Sequence, residues 1–181
     1  MFNPYPYFKG KNVLLIGNGE KLADINYDNY NSIVRMNLGI QDSPCDVWIN
    51  NLVNEGHNRL KELPRIQNIV RLNFDKEGSR VNRMPDKIKQ RTWLWNIEEY
   101  NTMTKLYNYN TPTTGFVSIY WLINYCNCKL TITAFDFFKT KNRYTMEEVN
   151  NIGTSRGYKH DVKLEKEVIT KLINRGLLNV I

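Results

Sequence analysis

Three short stretches of this 181-residue chain carry groups suited to holding an anion or a polar ring. The first is Gly17-Asn18-Gly19, directly after the apolar run Val13-Leu14-Leu15-Ile16. Glycine allows a tight turn and close backbone approach, and the asparagine amide both donates and accepts. The second is a pair of asparagines, Asn37 and Asn50, each closing an apolar run of its own. With Asn18 they would supply neutral donors and acceptors to a common crevice. Taken one at a time, each also suits the ordinary task of ending a strand. The third is Thr111-Pro112-Thr113-Thr114-Gly115, which opens the most apolar helical pattern in the chain. Thr and Pro suit a helix start, where unpaired N–H groups and hydroxyls form a site for carboxylate or phosphate. Gly17-Asn18-Gly19 is not a dinucleotide fingerprint, because the third glycine position falls on Leu22. No Gly-Lys-Ser/Thr follows to make a P-loop.

These groups converge only if the elements carrying them share an edge. Residues 13–16 form a continuous apolar run, as expected of a strand covered on both faces of a parallel sheet. Further strands are predicted at 32–37, 46–50, 68–72, 92–95 (an edge strand), 129–135 and 177–181. Helices are predicted at 20–30 (weakly), 56–63, 97–106, 116–125 and 161–174, the last capped by Gly176. The charged segment 73–90, broken by Gly78 and Pro85, reads as a mobile excursion. The pattern defines an α/β fold: a single Rossmann-like domain with a mostly parallel sheet flanked by helices. In such sheets ligands bind at the carboxyl ends of the strands, and Asp136 stands at one of them.

Composition narrows the classes. Hydrophobic residues make up 41% and charged residues 24%, ordinary for a globular protein. No apolar run approaches the ~20 residues of a membrane span, and residues 1–6 lack the pattern of a signal peptide. Cys45, Cys126 and Cys128 leave one thiol unpaired in any scheme, which leads us to expect a soluble protein of a reducing compartment. The net charge is +7, and residues 61–91 hold nine Lys/Arg against four Asp/Glu. This basic run lacks the motifs of nucleic-acid readers, so it reads as a solvated face or a wall around a phosphate-bearing ligand.

Three blocks together resemble sialyltransferases. Val13 to Gly19 with Ile33-Val34-Arg35-Met36-Asn37 resembles the large sialylmotif of glycosyltransferase family 29. Pro112-Thr113-Thr114-Gly115, with Cys126 eleven residues after the glycine, resembles the small sialylmotif. His160 and Glu165, with four residues between them, resemble the very small one. Ala134-Phe135-Asp136-Phe137 is similar to the corresponding strand of the bacterial family 42.

The resemblance implies a GT-A-like variant fold and an inverting transfer of sialic acid from CMP-sialic acid to a glycan hydroxyl, without a metal cofactor. It implies that Gly17, Asn18, Gly19, Asn37 and Asn50 contact the nucleotide and donor. Thr113, Thr114 and Gly115 would hold the donor's carboxylate or phosphate, and Tyr144 would bind phosphate. His160 would be the general base, with Asp136, Tyr158 and Glu165 in supporting positions. The chemistry agrees: the attacking hydroxyl must lose a proton, and an imidazole, with an ordinary pKa of ~6.5, can take it near neutral pH. No Asp-x-Asp pair is present to hold a metal on the phosphates. The expected partners are a nucleotide-sugar donor and a glycan acceptor, with no nucleic acid.

Several positions depart from the two families. The family 29 disulfide partner of Cys126 would fall near Val13. Thr111 replaces a family 42 arginine, and Phe138 replaces a phosphate-binding tyrosine. Family 29's second histidine is missing between Asp136 and Tyr158. An inactive relative that binds nucleotide or sugar as an interaction module is the alternative, and a nucleic-acid binder is a third reading.

Overall fold

The computed structural model describes residues 2–19, 24–37, 39, 42, 44–50, 65–70, 85–109, 111–135 and 160–181. Helix α1 (Pro4–Phe8) leads into β1 (Asn12–Ile16), β2 (Ser32–Met36), β3 (Val47–Asn50) and β4 (Gln67–Val70). A short helix, α2 (Asp86–Lys89), precedes β5 (Thr92–Leu94). Then come α3 (Ile97–Tyr107), α4 (Thr114–Asn124), β6 (Lys129–Thr133), α5 (Val162–Asn174) and β7 (Leu178–Val180). The strands form one sheet of order β5-β4-β3-β2-β1-β6-β7, parallel throughout. The domain is thus the expected Rossmann-like α/β unit. The chain builds outward from β1 to β5, then crosses back to lay β6 on the other side of β1. The strand order reverses between β1 and β6, where open α/β sheets form a ligand crevice.

Burial explains the β1 run. Val13 and Leu15 enter the main core with Val34, Met36, Val47, Ile49, Leu130 and Ile132. Leu14 and Ile16 face the other way, against Ile33 and Ala134, with Ile25, Tyr27 and Tyr30 packed alongside. A strand covered on both faces needs apolar residues at every covered position, and β1 has them from Val13 to Ile16.

Helix α4 fills the main core, and its residues Phe116 to Leu122 are all buried. Trp121 stacks on Trp93 with ring centres 5.3 Å apart and lies 4.7 Å from Trp95. Burying an aromatic body of this size contributes roughly 1.5–3 kcal/mol, provided its polar end finds a partner. Glu99 of α3 supplies one, accepting from Trp121 Nε1 at 2.9 Å and from the Tyr5 hydroxyl at 2.7 Å. Helix α5 is capped by the Asp161 side chain, which accepts from Leu164 N–H. It ends at Gly176, whose φ of 67° suits glycine and lets Leu177 N–H reach back to the Leu172 carbonyl.

Three expectations are modified. Residues 24–30 hold a 3-10 turn at Tyr27–Asn29 rather than helix. The Asn26 side chain accepts from Asp28 N–H there, a local bond that competes with helix. The predicted excursion of 73–90 ends in α2, which buries Ile88. The predicted strand at 129–135 stops at Thr133 because Ala134 turns to φ 57°, a left-handed conformation that breaks the ladder. The predicted helix at 56–63 and residues 73–84 of the excursion lie outside the described residues. Among the described residues, no helix is long and apolar enough to cross a membrane.

Candidate active site

At the switch point, the loops after β1 and β6 are tied by backbone. Gly17 N–H donates to the Thr133 carbonyl at 2.9 Å, and Gly19 N–H to the Ala134 carbonyl at 3.1 Å. A Cβ on Gly17 would fall on the Ala134 carbonyl oxygen and 3.1 Å from the Phe135 ring. A Cβ on Gly115, in the first turn of α4, would come within 2.7 Å of the same ring. Phe135 is therefore flanked by the two glycines. The Gly17 loop and the start of α4 lie on one edge, and neither glycine has room for a side chain.

The strand register aligns the asparagines. Ile16 pairs with Arg35 and Met36 with Ile49, so Asn18, Asn37 and Asn50 fall level at three adjacent strand ends. Their environments differ. The side-chain oxygens of Asn18 and Asn37 are buried without a hydrogen-bond partner among the described residues. Asn37 also adopts φ 46°, and its carbonyl accepts from Trp48 Nε1 at 2.6 Å. Asn50 is fully buried and donates from Nδ2 to Asn68 Oδ1 at 2.6 Å and to the Ile69 carbonyl at 3.2 Å. The line continues from Asn68 Nδ2 to Thr92 Oγ1, and from that hydroxyl to the Ile88 carbonyl. In this structure the Asn50 amide thus belongs to a polar ladder across β3, β4 and β5.

The start of α4 is held from the far end of the chain. Thr113 Oγ1 caps the helix by accepting from Phe116 N–H at 3.1 Å. The same hydroxyl donates to Glu165 Oε2 at 2.7 Å, and Thr113 N–H donates to Glu165 Oε1 at 2.7 Å. The Tyr109 hydroxyl donates to Glu165 Oε1 at 2.8 Å and accepts from Asp161 N–H at 2.7 Å. His160 Nδ1 lies 2.6 Å from the Thr111 carbonyl. A carbonyl can only accept, so the neutral ring carries its proton on Nδ1 and its lone pair on Nε2. That is the form in which a histidine can act as a base.

Charge at this junction is concentrated on Glu165, which is only 3% exposed. Burial raises its pKa, against the pull of the Thr113 and Tyr109 hydrogen bonds and of nearby His160. Burial also pushes the Tyr109 phenol well above its ordinary range, reinforced by the Glu165 charge, so its hydroxyl stays a donor. Both donors of Thr113 are bound to Glu165, so its part in a site is to set the helix start. In that first turn Phe116 N–H is taken by the Thr113 cap, and Gly115 N–H is of the kind that the start of an α-helix can offer an anion.

The structure therefore brings Gly17, Asn18, Gly19, Asn37, Thr113, Thr114, Gly115, Glu165 and His160 to one region of the sheet edge. Asp136, Tyr144 and Tyr158 lie outside the described residues. Tyr109 and Phe135 went unmarked as site residues in the sequence. Tyr109 sits in the polar run Tyr107-Asn108-Tyr109-Asn110, which carries no sign of its burial in the sequence. Among the described residues, no three His, Cys, Asp or Glu gather as a metal would require.

Comparison with solved structures shows that this α/β domain has the fold of sialyltransferases. A mammalian sialyltransferase superposes with a TM-score of 0.60 at 15% identity, covering 95% of this chain and 69% of its own. A tyrosine-to-phenylalanine variant of the sialyltransferase CST-II, solved in complex with CMP, also gives 0.60 at 15% identity, covering 94% and 80%. No protein-family model matches the chain, and no curated protein matches it significantly.

Proposed function

We propose that this chain is a glycosyltransferase that moves sialic acid from CMP-sialic acid to a glycan hydroxyl, with inversion and without a metal. The observation that carries the reading is the meeting of His160, its Nδ1 against the Thr111 carbonyl, with the α4 start at the Gly17 edge. The sialyltransferase fold and the CMP held by one structural neighbour support it.

In this mechanism, Nε2 of His160 takes the proton of the acceptor hydroxyl as its oxygen attacks the anomeric carbon. The bond from that carbon to the phosphate oxygen breaks, and CMP leaves with the bonding pair. The transition state is oxocarbenium-like, so the leaving phosphate needs hydrogen-bond donors rather than a nucleophile. Gly115 N–H in the α4 first turn would donate to it, in a turn preorganised by the Thr113 cap. Asn18 and Asn37 would accept from polar N–H or O–H groups of the donor.

Replacing His160 with alanine tests the reading. Turnover should fall roughly 100- to 10,000-fold while CMP binding by calorimetry is retained. Transfer by the unsubstituted protein should persist in excess EDTA. A folded His160→Ala protein that transfers sugar at the original rate would refute the role of His160. CMP binding without turnover by the unsubstituted protein would favour the interaction module instead.

A further inference from the structure

We propose that Tyr109 is a positioning residue for His160: its hydroxyl holds the His160–Asp161 peptide so that the imidazole keeps its proton on Nδ1 against the Thr111 carbonyl and its lone pair on Nε2. This rests on the reading of His160 as the general base.

The argument begins with bond directions. An N–H can only donate, so Asp161 N–H gives its proton to the Tyr109 oxygen at 2.7 Å. The same oxygen passes its own proton toward Glu165 Oε1 at 2.8 Å. Tyr109 is buried, so its bond to Glu165 is sheltered from water and its bond from Asp161 N–H partly so, and bonds in such a chain polarise one another. Glu165 in turn grips Thr113, the cap of α4, through both carboxylate oxygens. The main chain beside His160 is thereby referenced to the start of α4 through Tyr109. The ring has its own anchor, from Nδ1 to the Thr111 carbonyl at 2.6 Å. A histidine held at ring and peptide has one orientation, and one held at the ring alone can swing. The Nε2–H tautomer is the commoner for a free imidazole and would leave no base on that nitrogen. Tyr109 therefore bears on the chemistry without touching substrate.

Tyr109→Phe removes one oxygen and keeps the ring. The chain has two histidines, so nitrogen NMR of the full-length protein is readily assigned, using His57→Gln to identify the other signal. In the unsubstituted protein, His160 should show the Nδ1–H tautomer and Asp161 a slowly exchanging amide. In Tyr109→Phe the tautomers should mix. The kcat for transfer should fall about 10- to 100-fold, the scale of a misplaced catalytic group, while the donor KM and CMP affinity hold. A merely structural tyrosine would lower stability and leave both tautomer and kcat alone, and that result overturns the proposal. An Nε2–H His160 in the unsubstituted protein overturns it too. Should Tyr109→Phe not fold, Asp161 amide exchange in the unsubstituted protein decides: slow exchange with an Nδ1–H ring upholds the proposal, and fast exchange overturns it. If the protein transfers no sialic acid at all, the proposed function fails while the NMR result still decides the role of Tyr109.

Discussion

Glu165 holds Thr113 by two bonds of equal length, 2.7 Å from the main-chain N–H and 2.7 Å from the hydroxyl. The residues are 52 positions apart in the chain, so the start of α4 is set by the last helix of the chain. A threonine cap acting alone would hold its helix by about 1 kcal/mol. Here the cap is itself held.

Glu165→Ala should therefore be costly. It strands the Thr113 N–H, the Thr113 hydroxyl and the Tyr109 hydroxyl. Each donor that water does not reach costs on the order of 1–3 kcal/mol. Urea unfolding should show a clear drop in midpoint, and an alanine variant as stable as the original would contradict the network.

The pH dependence has a definite sign. Burial lifts the Glu165 pKa above its ordinary 4.5 in the folded state. A carboxyl with a raised folded pKa binds its proton more tightly when native. Its contribution is thus present below the unfolded value and is lost as pH rises through the folded one. Glu165→Gln removes this titration while keeping an acceptor oxygen. Comparing unfolding free energies from about pH 4 upward, the glutamine variant should gain on the original as pH rises. A difference that stays flat, or that favours glutamate with rising pH, would show the carboxyl is not raised.

What the sequence revealed and what it hid divide along physical lines. The strand at β1 was legible because burial on both faces requires an unbroken apolar run, and Val13 to Ile16 supply it. The start of α4 was legible because Thr113 caps through a local bond to Phe116 N–H. Glu165 was noticed only for its spacing from His160. Its contact with Thr113 depends on tertiary packing that no local pattern encodes. Asn50 looked like a member of the crevice because it ends a strand level with Asn37. Its ladder to Asn68 and Thr92 runs across strands, where sequence periodicity carries no information. The weak helix predicted at 20–30 gives way at 24–30 to a 3-10 turn, where the Asn26 side chain competes for the backbone.

The two glycines beside Phe135 should respond differently to a methyl group. In Gly115→Ala the new carbon meets the far edge of the Phe135 ring, 2.7 Å from Cε1. In Gly17→Ala it meets the Ala134 main-chain carbonyl, which is fixed by its bond from Gly19 N–H. Overpacking of this kind costs about 1–3 kcal/mol where side chains can shift. A second change, Phe135→Leu, should recover part of the Gly115→Ala loss and little of the Gly17→Ala loss. Thermal unfolding of the two double variants measures this directly. Equal recovery in both would mean that the ring, not the carbonyl, limits Gly17.

The thiols should be quiet. All three cysteines are free. Burial pushes Cys45 and Cys128 up to about 12, and Cys126 higher still. Only the thiolate reacts with alkylating reagents. Iodoacetamide near pH 7.5 should label the folded protein slowly at all three positions and the urea-unfolded chain quickly, as mass spectrometry would show. Rapid labelling of one cysteine in the folded state would identify a thiol that burial does not protect.

Asn18 offers the sharpest link between stability and binding. Its side-chain oxygen is buried with no partner among the described residues, as is that of Asn37. A buried acceptor left unmatched costs about 1–3 kcal/mol, so removing it should not destabilise the unliganded protein. If the donor nucleotide supplies the missing N–H or O–H, the same removal should weaken its binding. Asn18→Ala is therefore expected to melt at or above the original temperature without ligand and to lose most of the rise that CMP produces. For the unsubstituted protein that rise corresponds to about 2.7 kcal/mol when CMP is present at 100 times its Kd. Asn37 needs a different replacement, because alanine is strained at φ 46° and glycine is not. Asn37→Gly should likewise lose much of the CMP response, though glycine's greater freedom when unfolded lowers its baseline. An Asn18→Ala protein that melts well below the original yet keeps the full CMP shift would make Asn18 a structural residue and move the nucleotide elsewhere on the sheet edge.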